Sequence, residues 1–166
     1  MYYLLVLAVG IERLAELVVA KRNARWAFAN GGTEFGHRHY PAMVSIHFAL
    51  LLSCVAEVWL LHRPFIPLLG WPMVAVAMLS QGLRWWCIGT LGRRWNTLVI
   101  VLPERSLVHG GPYRWIHHPN YVAVVFEGFA LPLIHTAWLT ALWFSLANAA
   151  VLRERLRVEN VALGYR

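Results

Sequence analysis

The chain has 166 residues, 59% of them hydrophobic, and a mean hydropathy of +0.52, well above the ~45–50% apolar share of an ordinary soluble domain. Its formal charge of +7 rests on fourteen arginines and one lysine, with no aspartate anywhere. The arginines cluster between apolar runs instead of tracking one face, which argues against nucleic acid and for orientation in a bilayer.

Length predicts one domain over 1–166, an all-α integral membrane protein of about five transmembrane helices. Crossing the hydrocarbon core takes ~20 apolar residues as helix. The first predicted span, 2–20, carries Glu12, Arg13 and Glu16. It starts at Met1 without a basic n-region or cleavage site, so it is read as retained. A basic loop follows with Lys21, Arg22, Arg25 and Arg38, and it also holds Glu34-Phe35-Gly36-His37-Arg38-His39-Tyr40-Pro41. The second span, 42–61, contains His47 and Glu57, and a tight turn at His62-Arg63-Pro64 leads to the third, 65–89. Arg93, Arg94, Arg105 and Arg114 mark a second basic connection. Within it Leu98–Leu102 is short and β-branched, and is expected to lie extended against the membrane surface. Two further apolar runs, 121–133 and 136–151, break at Pro132 and His135, and the first is short for a full crossing. They are expected to form a tilted or partly buried hairpin. An amphipathic tail runs from Arg153 to Tyr165. Cys54 and Cys87 lie inside apolar runs and are expected as buried free thiols.

Loops one and three and the tail hold nearly all the basic residues. The positive-inside rule then puts the N-terminus outside and the C-terminus in the cytoplasm. Each carboxylate or arginine inside a span costs ~2.5–3.5 kcal/mol or more, so Glu12, Arg13, Glu16, Glu57 and Glu127 should face the bundle and be paired. Glu127, six residues past Tyr121, reads either as a substrate hydrogen-bonder or as a structural partner of Arg84.

The densest polar stretch is Gly110-Gly111-Pro112-Tyr113-Arg114-Trp115-Ile116-His117-His118-Pro119-Asn120-Tyr121. Pro112 pre-sets a turn after the glycines, and Pro119 suits the first turn of a helix beginning near Asn120. Polar backbone at membrane depth persists where it lines a cavity, so this loop predicts the floor of a binding site. A helix N-terminus there would favour an anion.

Gly111, Tyr113, His118, Pro119 and Tyr121 match the G-x-Y-x-x-x-R-H-P-x-Y signature, and the chain resembles the isoprenylcysteine carboxyl methyltransferase family. The arginine before His-Pro is His117 here. The resemblance implies an integral membrane enzyme using S-adenosyl-L-methionine and releasing S-adenosyl-L-homocysteine, with the region 98–121 and the tail 153–165 forming the site. It carries cofactor contacts onto Arg105, Ser106, Leu107, Val108, Tyr113, His118, Pro119, Asn120 and Tyr121. The family's R-x-x-x-E-E motif followed by Leu matches Arg155, Glu159 and Leu163, with Asn160 at the second acidic place. Arg155 and Glu159 are thereby implied at the substrate end as catalytic and substrate-binding, with Glu127 as a further substrate candidate. Without the loop, an interfacial helix with an ordinary Arg–Glu pair is the better description of the tail; with it, a functional role is.

Gly-Pro-Tyr-Arg-Trp-Ile before His-Pro-Asn-Tyr, with Glu34–Pro41, looks most like the bacterial branch that O-methylates alkylresorcinols or alkylpyrones. A lipophilic acceptor would then enter from the bilayer. Carboxyl methylation of a prenylcysteine-like lipid is the alternative, and a non-enzymatic membrane scaffold is the alternative of another class. Eight histidines form none of the spaced boxes of membrane di-iron enzymes, so no metal is expected. His37-Arg38-His39 reads as loop packing or as a second wall of the site.

Overall fold

A computed structural model describes residues 1–36, 39–103 and 108–164, with the side chain of His39 left aside. His37, Arg38, Arg105, Ser106, Leu107 and Tyr165 therefore lie outside the described residues. Five long helices run along the chain: α1 (Tyr2–Ala29), α2 (His39–Leu60), α3 (Pro67–Leu91), α4 (Pro119–Leu133) and α5 (Trp138–Leu163). Strand β1 (Thr33–Phe35) pairs antiparallel with β2 (Val99–Val101), Glu34 opposite Ile100. The extended segment expected at 98–102 is thus a strand with a protein partner, and the β1 residues carried no alternation long enough to announce it.

The helices alternate in direction. Tyr2 at the start of α1 donates to the Leu131 carbonyl near the end of α4, 3.1 Å away. At the same end of the bundle, the Glu57 carboxylate of α2 caps α5, accepting from the backbone N–H of Leu139 (3.2 Å) and Thr140 (2.7 Å) while pairing with Arg63 at 2.8 Å. A carboxylate there meets both the unsatisfied donors and the positive end of the helix dipole. α1 ends, α2 begins, α3 ends, α4 begins and α5 ends at the opposite pole, where the polar loops gather.

Two helices differ from the expected spans. α1 continues past Ala20 to Ala29, and α5 runs unbroken from Trp138 past residue 151 into the tail as far as Leu163, since no glycine or proline interrupts it. α4 has 15 residues, about 22 Å of helix, short of the ~30 Å hydrocarbon core. It is the most enclosed helix, burying Ala123, Glu127, Gly128, Ala130, Leu131, Pro132 and Leu133. Gly128 has no side chain because the Phe144 ring of α5 occupies that space. Such small-residue contacts are how helices associate where lipid removes the hydrophobic driving force.

Among the described residues one helix, Tyr40–Leu60, is long and apolar enough on its own to cross a membrane, with a mean hydropathy of 1.9. The others are diluted by inward charges, yet present apolar side chains outward. On α1, Val6, Val9 and Ala20 are buried while Leu4, Leu7, Ile11, Leu14 and Val18 are exposed. A helix apolar on both faces suits an apolar surround.

The interior charges are paired. Glu127 of α4 accepts from Arg13 of α1 at 2.6 and 2.7 Å and from Arg84 of α3 at 3.0 Å. Arg13 also reaches Glu16 (2.5 Å), and Arg84 approaches the same carboxylate at 3.6 Å. Two guanidiniums and two carboxylates thus form a neutral quartet across three helices. Glu12 accepts from the Trp85 indole N–H at 2.6 Å and from Gln81. Cys54 and Cys87 are buried free thiols. Removing one member of such a buried set leaves an uncompensated charge, so Glu127→Ala should cost about 3–5 kcal/mol, read as a lower denaturation midpoint in detergent. A midpoint within a degree of the parent would show the quartet to be dispensable.

Candidate functional site

At the polar pole, chain segments converge around a cavity of about 190 Å³, open to the outside. Its wall runs from Leu91 through Trp95 to Leu102, then takes in Val108, Tyr113, His117, His118, Asn120, Tyr121, Arg155 and Glu159.

The loop before α4 is shaped by its glycines and prolines. Gly111 has φ +52, and a Cβ there would run into the Thr90 hydroxyl and crowd the Trp86 indole, so only glycine fits. Gly111–Arg114 form one short 3-10 turn with Pro112 buried in it. Pro119 opens α4 at its first helical position, as expected, with His118 the residue before the helix. The Tyr121 N–H returns to the His118 carbonyl at 3.1 Å. Burial pushes the Tyr113 phenol well above its ordinary pKa, so it remains a neutral donor at physiological pH.

Tyr121 joins the two halves of the site. Its hydroxyl donates to the Glu159 carboxylate and accepts from Arg155 Nε at 2.7 Å, so the phenol bridges a pair one helical turn apart on α5. The buried Arg155 guanidinium also donates through Nη1 to the Thr97 carbonyl (2.6 Å) and to Met43 Sδ (3.0 Å), and lies over the Tyr121 ring at 5.6 Å. His118 stacks on Tyr121 with ring centroids 5.4 Å apart, and its Nε2 donates to Asn160 Oδ1 at 2.8 Å. The other ring nitrogen stands 3.7 Å from Glu159.

Of the sequence-selected residues, Val108, Tyr113, His118, Asn120, Tyr121, Arg155 and Glu159 line this one cavity. Pro119 is buried just beneath it. Arg105, Ser106 and Leu107 fall outside the described residues. Glu127 does not reach the cavity: both oxygens are engaged by Arg13 and Arg84, the structural pairing that the sequence also allowed. Thr97, Met43 and Trp95 escaped sequence reasoning. Thr97 acts through its carbonyl and Met43 through a sulfur, neither of which residue type advertises.

Residues 73–165 match the isoprenylcysteine carboxyl methyltransferase (ICMT) family, more than half of the chain. The chain belongs to that family. It is also 39% identical over 164 residues to the uncharacterized protein YpbQ of Bacillus subtilis, covering 98% of this chain and 96% of that one. A more distant relative, an uncharacterized protein of Haemophilus influenzae, is 22% identical over 156 residues, covering 92% and 89%. ICMT-family proteins are membrane methyltransferases, and the matched segment takes in α4, α5 and nearly all of the cavity wall.

The wall suits the family's methyl donor. It offers apolar surface from Leu91, Val99 and Val108 beside the N-terminus of α4. Trp95 and Asn120 of this wall each bury a side-chain polar atom, Nε1 and Oδ1, closed to solvent and without a hydrogen-bond partner among the described residues. Gly111→Ala should displace the loop and lower S-adenosylhomocysteine affinity at least tenfold, about 1.4 kcal/mol, by calorimetric titration. Unaltered affinity would show that the turn does not shape the pocket.

Proposed function

We propose that this protein is an S-adenosyl-L-methionine-dependent O-methyltransferase acting on a lipophilic acceptor with an ionisable hydroxyl, of the phenolic-lipid type (alkylresorcinol or alkylpyrone). Its five helices cross the bacterial inner membrane, the N-terminus outside and the cavity at the cytoplasmic face. The basic residues cluster near the cavity pole, which supports this orientation. α4 crosses as an enclosed, shortened helix.

The observation that carries the choice of acceptor is the pairing state of Arg155 and Glu159. A carboxylate acceptor would need a free bidentate guanidinium, whereas Arg155 is engaged by Tyr121, Thr97 and Met43. Glu159 stands on the wall as a carboxylate, and an anion brought to about 4 Å from it would be repelled by about 4 kcal/mol at an effective dielectric near 20. Asn160, at the family's second acidic place, leaves Glu159 without a neighbouring carboxylate on its own turn. A neutral phenol or enol, with pKa near ~10, meets no such repulsion and needs a base.

When bound, S-adenosylmethionine supplies a methyl group already activated by a sulfonium, so the chain's task is positioning and proton removal. Tyr113, His118, Asn120 and Tyr121 would hold the cofactor, and the α4 N-terminus would favour its carboxylate. Glu159 takes the acceptor hydroxyl proton on its oxygen, and Tyr121 with Arg155 fixes that oxygen in place.

Titration of the detergent-solubilised protein with S-adenosylhomocysteine should give saturable heat; none at near-millimolar ligand would favour a scaffold. Labelled cofactor incubated with extracted lipids should mark a phenolic lipid, and label on a prenylcysteine alone would refute the acceptor class. Glu159→Gln should lower kcat by about 10²–10⁴-fold while leaving S-adenosylhomocysteine affinity unchanged. His117→Arg, which restores the family residue on the cavity wall, should tighten cofactor binding; an unchanged titration would show His117 to be neutral.

A further inference from the structure

We propose that the outer side of the loop before α4, Arg114, Trp115 and Ile116 together with Trp86 of α3, is a docking surface for an anionic phospholipid. The lipid steadies the loop whose inner side lines the cavity. This surface lies outside the cavity, and its occupancy does not depend on which acceptor is methylated.

The loop has two sides. Tyr113, His117 and His118 line the cavity, whereas Arg114, Trp115 and Ile116 between them are exposed and take no part in its wall. The exposed three are not slack. Arg114 closes the 3-10 turn that begins at Gly111, and the N–H groups of Trp115 and Ile116 both donate to the Pro112 carbonyl at 3.2 Å. The Trp115 ring meets the Trp86 ring edge to face with centroids 5.8 Å apart, and the Arg114 guanidinium lies over Trp115 at 6.0 Å. A cation is thus held at a set place on an aromatic platform.

Depth and charge choose the occupant. Trp86 precedes the end of α3 at Leu91 by about 8 Å of helix, the level at which tryptophans mark the border between hydrocarbon and headgroups. Among the described residues no carboxylate pairs with Arg114. Arg93, also exposed, adds a second positive charge in the turn that follows Thr90, the residue against which Gly111 packs. A lipid phosphodiester brings the missing anion in a form that a guanidinium can meet with two hydrogen bonds, and its acyl chains cover Trp115, Ile116 and Trp86. A soluble anion would satisfy Arg114 and leave both indoles and Ile116 in water. A zwitterionic lipid carries a cation that offsets its phosphate. On the orientation proposed above, this pole faces the cytoplasmic leaflet, which carries the negative surface potential.

The test places the full chain in bilayer discs containing lipid brominated high on the acyl chain, either anionic phosphatidylglycerol or zwitterionic phosphatidylcholine. The emission lost on Trp115→Phe isolates the Trp115 signal. The anionic lipid should quench that signal at a mole fraction about fivefold lower than the zwitterionic one, the weight of one arginine near a charged surface. Arg114→Gln should abolish the preference at an unchanged melting temperature. Anionic lipid should also tighten S-adenosylhomocysteine binding by the wild type and leave that of Arg114→Gln as it was. Equal quenching by the two lipids would overturn the docking surface, as would a preference that survives Arg114→Gln. A cofactor affinity indifferent to lipid would overturn the steadying of the loop. Failure to bind S-adenosylhomocysteine in either lipid would remove the methyltransferase reading instead, and the quenching would still decide the docking.

Discussion

The guanidinium of Arg155 ties the site together. It is buried on α5, and its three contacts reach α4 through Tyr121, the α3–β2 connection through the Thr97 carbonyl, and α2 through Met43. A buried arginine is costly unless its donors are met. The elements that meet them are therefore held at the spacing that satisfies it, and the cavity is the space they enclose. Arg155 is in this sense a positioning residue: it holds the Tyr121 hydroxyl, which in turn holds Glu159.

A second constraint acts nearer the middle of the bundle. Glu127 is six residues beyond Tyr121 on the same helix and joins α4 to α1 and α3 through Arg13 and Arg84. Without that anchor, a helix of 15 residues packed through alanines and glycine would have little to fix its register. The carboxylates of Glu127 and Glu159 have separate work. Glu127 meets two cations and is engaged in structure. Glu159 meets a phenol and, at 3.7 Å, an imidazole, and keeps a face toward the cavity.

Much of this was legible in the chain itself. Long apolar runs gave the helices, and the cost of charge in such runs gave the pairing of Glu57, Arg13 and Glu127. Pro119 gave the start of α4 because proline fits where a helix N–H is idle anyway. The ends of α1 and α5 were less legible: hydropathy reports where lipid stops, while a helix stops only where its hydrogen bonding does. The pairing of β1 with β2 was invisible, since three-residue strands leave no periodicity to count. The partners of Arg155 were hidden for a related reason. A main-chain carbonyl such as that of Thr97 has no residue signature, and only the fold decides which carbonyl faces a given guanidinium.

The two sides of the cavity rest on different kinds of support. Tyr121, Arg155 and Glu159 stand on helices, where rotamers and spacing are set by continuous hydrogen bonding. Most of the remaining wall, Trp95 to Leu102 together with Val108, belongs to the connection between α3 and α4, clamped at Trp95 by Asn23. In-line methyl transfer tolerates little misplacement of the attacking oxygen, and side chains on helices are held more closely than side chains on loops. In the proposed reaction the proton acceptor stands on α5 and the cofactor wall on the connection, which puts the tighter tolerance on the stiffer element. α5 is also anchored at its far end, where Glu57 caps it. A displacement of α5 that moved Glu159 away from the acceptor would have to break the Tyr121–Arg155 bridge at one pole or that carboxylate cap at the other.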